Sequence, residues 1–301
     1  MLGEQGLHLY IQHKQTIWDA LPPLPAHSDW DKKYPYLRLS DLLIAHAKAN
    51  NNTTTEIAIL EKTVTCTTDC IKLCERLIEL DLWPQVDAWL SKAKQWQKKS
   101  PYPHNQRGGN TSLEQVELKL YLHKGDTPSA LKKQWEIYQT SPNVKHYDKL
   151  LDLAEQCGEH KKWRDKVFDT LHAAIEKPDQ QYFMHYKLDH LIQLYLHENK
   201  PDSALTVVNT YKVNERALHA VIKSFHKQPT ITLPLYQRLV DMHIRQGNND
   251  AYKQGITFLV ECKKSLQNQA HKNAFALIEE ELRTRHKAKR NFIKYLNEAM
   301  G

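Results

Sequence analysis

The chain has 301 residues, of which 41% are hydrophobic and 26% charged, and a formal net charge of +7. That length permits one large or two medium domains, and the composition is that of a folded protein rather than a disordered tail. Nine glycines are too few for a large β protein rich in tight turns or for a glycine-rich nucleotide fold, and no run of about 18 apolar residues is present to cross a membrane.

The first segment, MLGEQGLHLYIQHKQ, is polar and amphipathic and lacks the apolar core of a secretory signal, so a cytoplasmic location is expected. LRLSDLLIAHA then sets Leu39, Leu42, Leu43 and His46 on one side of a helix, in steps of three and four rather than a strand's alternation. TTTE, Thr53 to Glu56, reads as a capping box before an apolar run. CTTDCIKLC follows, with Cys66, Cys70 and Cys74 four residues apart. A helix starting near Thr67 or Thr68 puts Cys70, Cys74, Leu77 and Ile78 on one side. A zinc site wants close ligand pairs and a second pair elsewhere, and no second CxxC or HxxxH follows. Burial as small hydrophobes is the expected role, with a redox device as the alternative. Cys157 and Cys262 lie in apolar helical settings and are also expected in the core, and five cysteines do not form a disulfide framework. Neither a metal nor a cofactor is expected.

The stretch KKSPYPHNQRGGNTS, 98–112, is the longest polar loop and the candidate hinge or insertion. Beyond it lies internal repetition. LYLHKGDTPSAL (Leu120 to Leu131) and LYLHENKPDSAL (Leu194 to Leu205) are identical at seven of twelve positions and start 74 residues apart. Each closes one helix, turns at Gly125 or Asn199, and opens another at a small alanine, Ala130 or Ala204, which lets two helices approach closely. Looser copies carry Ala88 in ELDLWPQVDAWL, and Gly247 with Ala251 in RLVDMHIRQGNNDAYKQGITFL. Pro84, Pro128 and Pro201 sit where a first helical turn tolerates a missing amide, and Asn248 begins a turn and cap. About 14 helices of ordinary globular length are expected. A hairpin of this length cannot bury its apolar stripe alone; stacked hairpins can, which gives a solenoid.

His185, His190 and His197 crowd one helix at spacings of five and seven, which do not face one metal as a pair four apart would. The tail RTRHKAKRNFIKYL carries Arg283, Arg285, Lys287, Lys289, Arg290 and Lys294 with no acid among them, on a basic C-terminal helix expected over about 271–299. It reads either as a face for an acidic partner or nucleic acid, or as an amphipathic helix with late bases complementing its dipole. Leu282, His286, Phe292, Ile293 and Leu296 would face inward. Trp83, Trp89, Trp135 and Trp163 recur near hairpin turns, where large rings wedge between layers.

Gly125, Asp126, Ala130 and Pro142 together resemble the tetratricopeptide consensus, which implies an irregular right-handed α-solenoid of helical hairpins, all-α and carried as a single domain over 1–301. Tyr147 to Leu171 and Leu233 to Leu266, with Trp163-Arg164, Tyr236, Tyr252 and His286, resemble the C-terminal helical region of bacterial SWIM zinc-finger proteins. The finger's C-x-C and C-x-H pairs are missing, so the resemblance implies only the helical array and a presumed role in binding protein or nucleic acid. No nucleophile elbow, Walker loop or dinucleotide fingerprint occurs. The expectation is a non-catalytic scaffold that takes a protein partner in a concave groove. The alternatives are nucleic-acid binding through the basic tail and an enzyme with a site between repeats.

Overall fold

The computed structural model describes residues 3–99, 112–176, 181–266 and 268–300. Most of the 98–112 loop therefore lies outside the described residues. Regular structure is wholly helical, with sixteen helices and no strand among the described residues. Contacts cluster into two compact units, Met1–Ser141 with Lys149–His160 and Pro142–Asp148 with Lys161–Gly301.

The first unit carries α1 (Glu4–Ala20), α2 (Trp30–Ala49), α3 (Thr53–Thr63), α4 (Thr67–Glu79), α5 (Trp83–Lys99), α6 (Leu113–His123) and α7 (Thr127–Thr140). The division falls within α8 (Val144–Gln156). The second unit carries α9 (His160–Ile175), α10 (Gln181–His197), α11 (Pro201–Thr210), α12 (Glu215–Ser224), α13 (Pro229–Gln246), α14 (Asn249–Ser265), α15 (Gln269–Arg285) and α16 (Arg290–Met300). The tail expected as one helix is thus two, broken at 286–289, which accounts for part of the excess over about 14.

Local chemistry sets the boundaries. Asn52, not a threonine, caps α3: its side chain accepts from the Thr55 amide at 3.1 Å, so the expected Thr53 box does not form. A reciprocal capping box stands instead at Ser112 and Gln115, opening α6. Asp126 caps α7 and Asn248 caps α14, each accepting from the amide three residues on. Between α6 and α7 the chain turns through Gly125 at φ +69°, and between α10 and α11 through Asn199 at φ +55°, a conformation that glycine adopts freely and asparagine tolerates better than most residues. Ala130 and Ala204, one residue type at equivalent points of the two repeats, are fully buried.

In the first unit each helix from α1 to α6 packs on its successor, and α4 also packs on α6. Two apolar clusters result. One joins Ile11, Trp18, Tyr36, Leu43 and Ile59, and the other joins Cys70, Ile71, Cys74, Leu77, Val86, Leu90, Val116 and Leu120. Truncating Leu77 to alanine would cost about 2–5 kcal/mol, as for other fully buried leucines. In the second unit neighbours from α10 to α14 pack in sequence, and α10 on α12, α13 on α15 and α14 on α16 add next-but-one contacts. Its interior includes Leu188, Leu191, Ile192, Val208, Leu218, Leu239 and Leu259.

Candidate functional site

Helices α2, α3 and α4 enclose a groove of about 450 Å³ in the first unit. Leu37, Ile44, Leu60 and Leu73 give it apolar walls, and Lys33, Lys48, Lys72, Arg76, Asp41, Glu56 and Asp69 add charge. Most of that charge is spent internally. Glu56, 1% exposed on α3, receives a fork from Arg76 on α4: Nε donates to Oε1 at 2.7 Å and Nη2 to Oε2 at 2.8 Å. The hydrogen bond from Arg76 holds the Glu56 carboxyl below its usual range, against the opposing effect of burial. Lys48 Nζ stands 3.5 Å from Glu56 Oε1, the oxygen that Arg76 Nε also meets. Asp69 accepts from Lys33 Nζ at 2.9 Å and from the Thr65 amide and hydroxyl. Burial pushes the Asp69 carboxyl upward, and these donors outweigh it and bring it below its usual range. The pairs clamp α2, α3 and α4 together and fix the groove's walls.

At the rim the situation reverses. Trp30, the first residue of α2, is 65% exposed, and Tyr34, one turn on, is 48% exposed. Asp29 caps the helix and so fixes where Trp30 begins it, accepting from the Lys32 amide at 3.1 Å. The two rings are tilted at 45° with centroids 6.2 Å apart, and the Arg38 guanidinium lies 6.0 Å from the Tyr34 ring centre. Pro35, inside α2, has no N–H to give the Asp31 carbonyl four residues back. Among the described residues neither the Trp30 indole N–H nor the Tyr34 hydroxyl has a hydrogen-bond partner. The other six tryptophans differ: Trp18, Trp135 and Trp163 are buried, and Trp83, Trp89 and Trp96 half-buried. Sequence reasoning missed Trp30; its one signal is an N-cap aspartate directly before an aromatic that lies outside the helix's buried set.

The six expected tail contacts are largely engaged. Arg283 bonds Glu279 at 2.5 Å and also reaches Asn297. Arg285 pairs with Asp241 at 3.0 Å and with Glu281. Lys289 donates to the Ile244 carbonyl at 2.9 Å, with its charge 5.6 Å from the Tyr252 ring centre. Lys294 stands 3.9 Å from Glu298. Lys287 and Arg290 are exposed with no ion pair among the described residues. As expected, Leu282, Phe292 and Leu296 are fully buried, while His286 and Ile293 are partly buried.

Cys70, Cys74 and Cys262 are buried, and burial pushes each thiol up to about 12, so all three are protonated and unreactive at neutral pH. Cys157, expected in the core, is only half-buried. His190 is buried, and burial lowers it to about 4; His185 is exposed, and His197 meets Asp148 at 2.7 Å, so the three do not converge. No group of three or more His, Cys, Asp or Glu is placed to hold a metal among the described residues. No described helix is long and apolar enough to cross a membrane.

A second hollow, about 290 Å³, lies among α12, α13 and α14 and is lined by Lys223, His226, Thr232, Tyr236, Glu261 and Ser265. Glu261 accepts from Tyr236 at 3.0 Å and meets His219 Nε2 at 3.0 Å. Burial raises its carboxyl, but those two partners bring it below its usual range. A carboxylate held ionised and already engaged twice is a weak proton acceptor. Comparison of the chain with protein-family models, with curated proteins and with solved structures finds no match.

Proposed function

We propose that the chain is a non-catalytic helical-repeat scaffold that binds a protein partner in the α2–α4 groove. The observation that carries this is Trp30: a tryptophan whose ring and N–H are left open at the rim of a groove with fixed walls. Exposed, rigid aromatics beside a preformed hollow are typical binding anchors, because little ordering is required on association. The next-but-one contacts within each unit support a solenoid arrangement of irregular hairpins, in keeping with the tetratricopeptide and SWIM-region resemblances. The nucleic-acid alternative through the tail has weaker support, since four of its six bases already meet acids or a carbonyl. The enzyme alternative would place its site at Glu261, whose ionised, doubly bonded carboxylate does not favour it.

The test is selection of a random-peptide library on the immobilised chain, after nuclease treatment. Recovered peptides are expected to bind the wild type and to lose binding to a Trp30→Ala, Tyr34→Ala variant. Recovered peptides that bind both proteins equally, or recovery of none, would refute the groove as the site.

A further inference from the structure

We propose that the hollow among α12, α13 and α14 is a binding site for a small aliphatic amino acid, held by its ammonium group on one side and by its carboxylate on the other. This goes beyond the groove of the first unit and does not depend on it. Two opposite charges that line one hollow without meeting carry the inference.

The accepting side belongs to α14. Glu261 and Ser265 both line the hollow, and four residues apart they share one face of the helix. Glu261 Oε1 takes the Tyr236 hydroxyl, and His219 Nε2 is shared between Oε1 and Oε2 at 3.0 and 3.1 Å. An ionised carboxylate has about four lone-pair sites, so Oε2 can still accept. Ser265 Oγ gives its proton to the Cys262 carbonyl at 2.7 Å and keeps its own lone pairs. Ser265 is also the last residue of α14, where the helix dipole is negative. The group that matches these acceptors is an ammonium, which has N–H bonds to give and a positive charge.

The donating side belongs to α12 and α13. Lys223 lines the hollow, and its charge helps to hold Glu261 ionised, yet it makes no ion pair with Glu261 or with any other acid among the described residues. Thr232, the fourth residue of α13, also lines the hollow and is 2% exposed. Among the described residues its hydroxyl has no hydrogen-bond partner. A buried hydroxyl without a partner is costly, and an oxygen from a ligand would satisfy it. His226, the other basic group of the lining, gives Nδ1 to the Lys223 carbonyl at 3.1 Å. A free lysine ammonium and a spare hydroxyl near the positive end of α13 match a carboxylate.

The site therefore has a polarity. An ion of one sign satisfies one side and is repelled by the other, whereas a zwitterion satisfies both. Size narrows the class further. At about 290 Å³ the hollow stands at the lower limit of small-molecule sites, roughly 300 Å³. That leaves space for the two charged groups and a short side chain, and Ile222 is the aliphatic part of the lining against which such a side chain packs.

The experiment is calorimetric titration of the full chain with three matched probes: L-valine, isovalerate, which lacks the ammonium, and isobutylamine, which lacks the carboxylate. Saturable binding of L-valine is expected, with each single-charge analogue roughly tenfold weaker or more, as loss of a charged hydrogen-bonding partner brings. Lys223→Ala should weaken L-valine by roughly tenfold, and Thr232→Val, which keeps the shape and removes the hydroxyl, by a smaller factor. Glu261→Gln should weaken L-valine and leave isovalerate unchanged. Thermal midpoints are taken for every variant; if Glu261→Gln does not fold, Lys223→Ala at its exposed position and Thr232→Val decide the matter. Absence of saturable L-valine binding, or binding indifferent to Lys223→Ala, overturns the proposal. Isovalerate that binds as tightly as L-valine overturns it in favour of a simple anion site, and isobutylamine that does so overturns it in favour of a cation site.

Discussion

The α2–α4 groove of the first unit and the α15–α16 tail of the second both spend most of their charge internally, and they differ in what they leave open. In sequence the tail is conspicuous, with six bases in twelve residues, and α2 is not. In the structure the tail's bases turn inward to their own protein: Arg285 to Asp241, Lys289 to the Ile244 carbonyl, Arg283 to Glu279. The rim of α2 keeps its aromatic donors open. A cluster of like charge in a chain measures how much charge must be accommodated, not how much is available to a partner. Availability depends on which acids the fold brings alongside.

The largest expected effect lies under the groove. Arg76→Ala leaves Glu56 ionised and buried without its fork, and should destabilise the first unit by about 2–4 kcal/mol, reduced from the fully buried case because Arg76 is itself partly solvated. Chemical denaturation would measure it, and a loss below about 0.5 kcal/mol would show that the clamp is incidental. Next comes acid. The carboxyls of Glu56 and Asp69 are lower in the folded chain than in the unfolded one, so their contribution is complete above the ordinary carboxylate values of about 4 and disappears as pH falls through the lower folded values. Urea midpoints should therefore fall steeply below about pH 4, and Glu56→Gln should flatten that fall. A profile unchanged by Glu56→Gln would remove Glu56 from the account.

The tail gives the smaller effects. Arg285→Ala should cost at most about 1 kcal/mol, because its pair with Asp241 is nearly half open to solvent on the arginine side. With Lys287 and Arg290 alone unengaged, any affinity of the tail for DNA should fall only roughly tenfold between about 50 and 200 mM salt, whereas six free bases would give roughly a thousandfold. A slope near the larger figure would mean that the ion pairs open on binding, and the contrast between the two regions would collapse.

What the sequence made legible was local. The caps at Asp126 and Asn248, the prolines in first turns, the turns at Gly125 and Asn199 and the buried alanines follow from chemistry within a few residues. The burial of Cys70 and Cys74 followed from helical period. What escaped depends on partners far along the chain. Arg285 and Asp241 are 44 residues apart, and Lys289 and Ile244 are 45. Both contacts fall at the break between α15 and α16, which periodicity alone read through. Even the cap of α3 was displaced by one residue, because Asn52 is the better acceptor at that position than Thr53. Trp30 shows the same limit: it is the same residue type as six tryptophans that are buried or half-buried, and apart from the aspartate cap before it, its 65% exposure is set by what the fold leaves around it.

The most direct measurement is the affinity of a library-selected peptide for the intact chain and for Trp30→Ala, taken with the melting temperature of each. A weakening of roughly tenfold or more at an unchanged melting temperature is the predicted result. Equal affinities would contradict the claim that the open face of α2 is where this protein meets its partner.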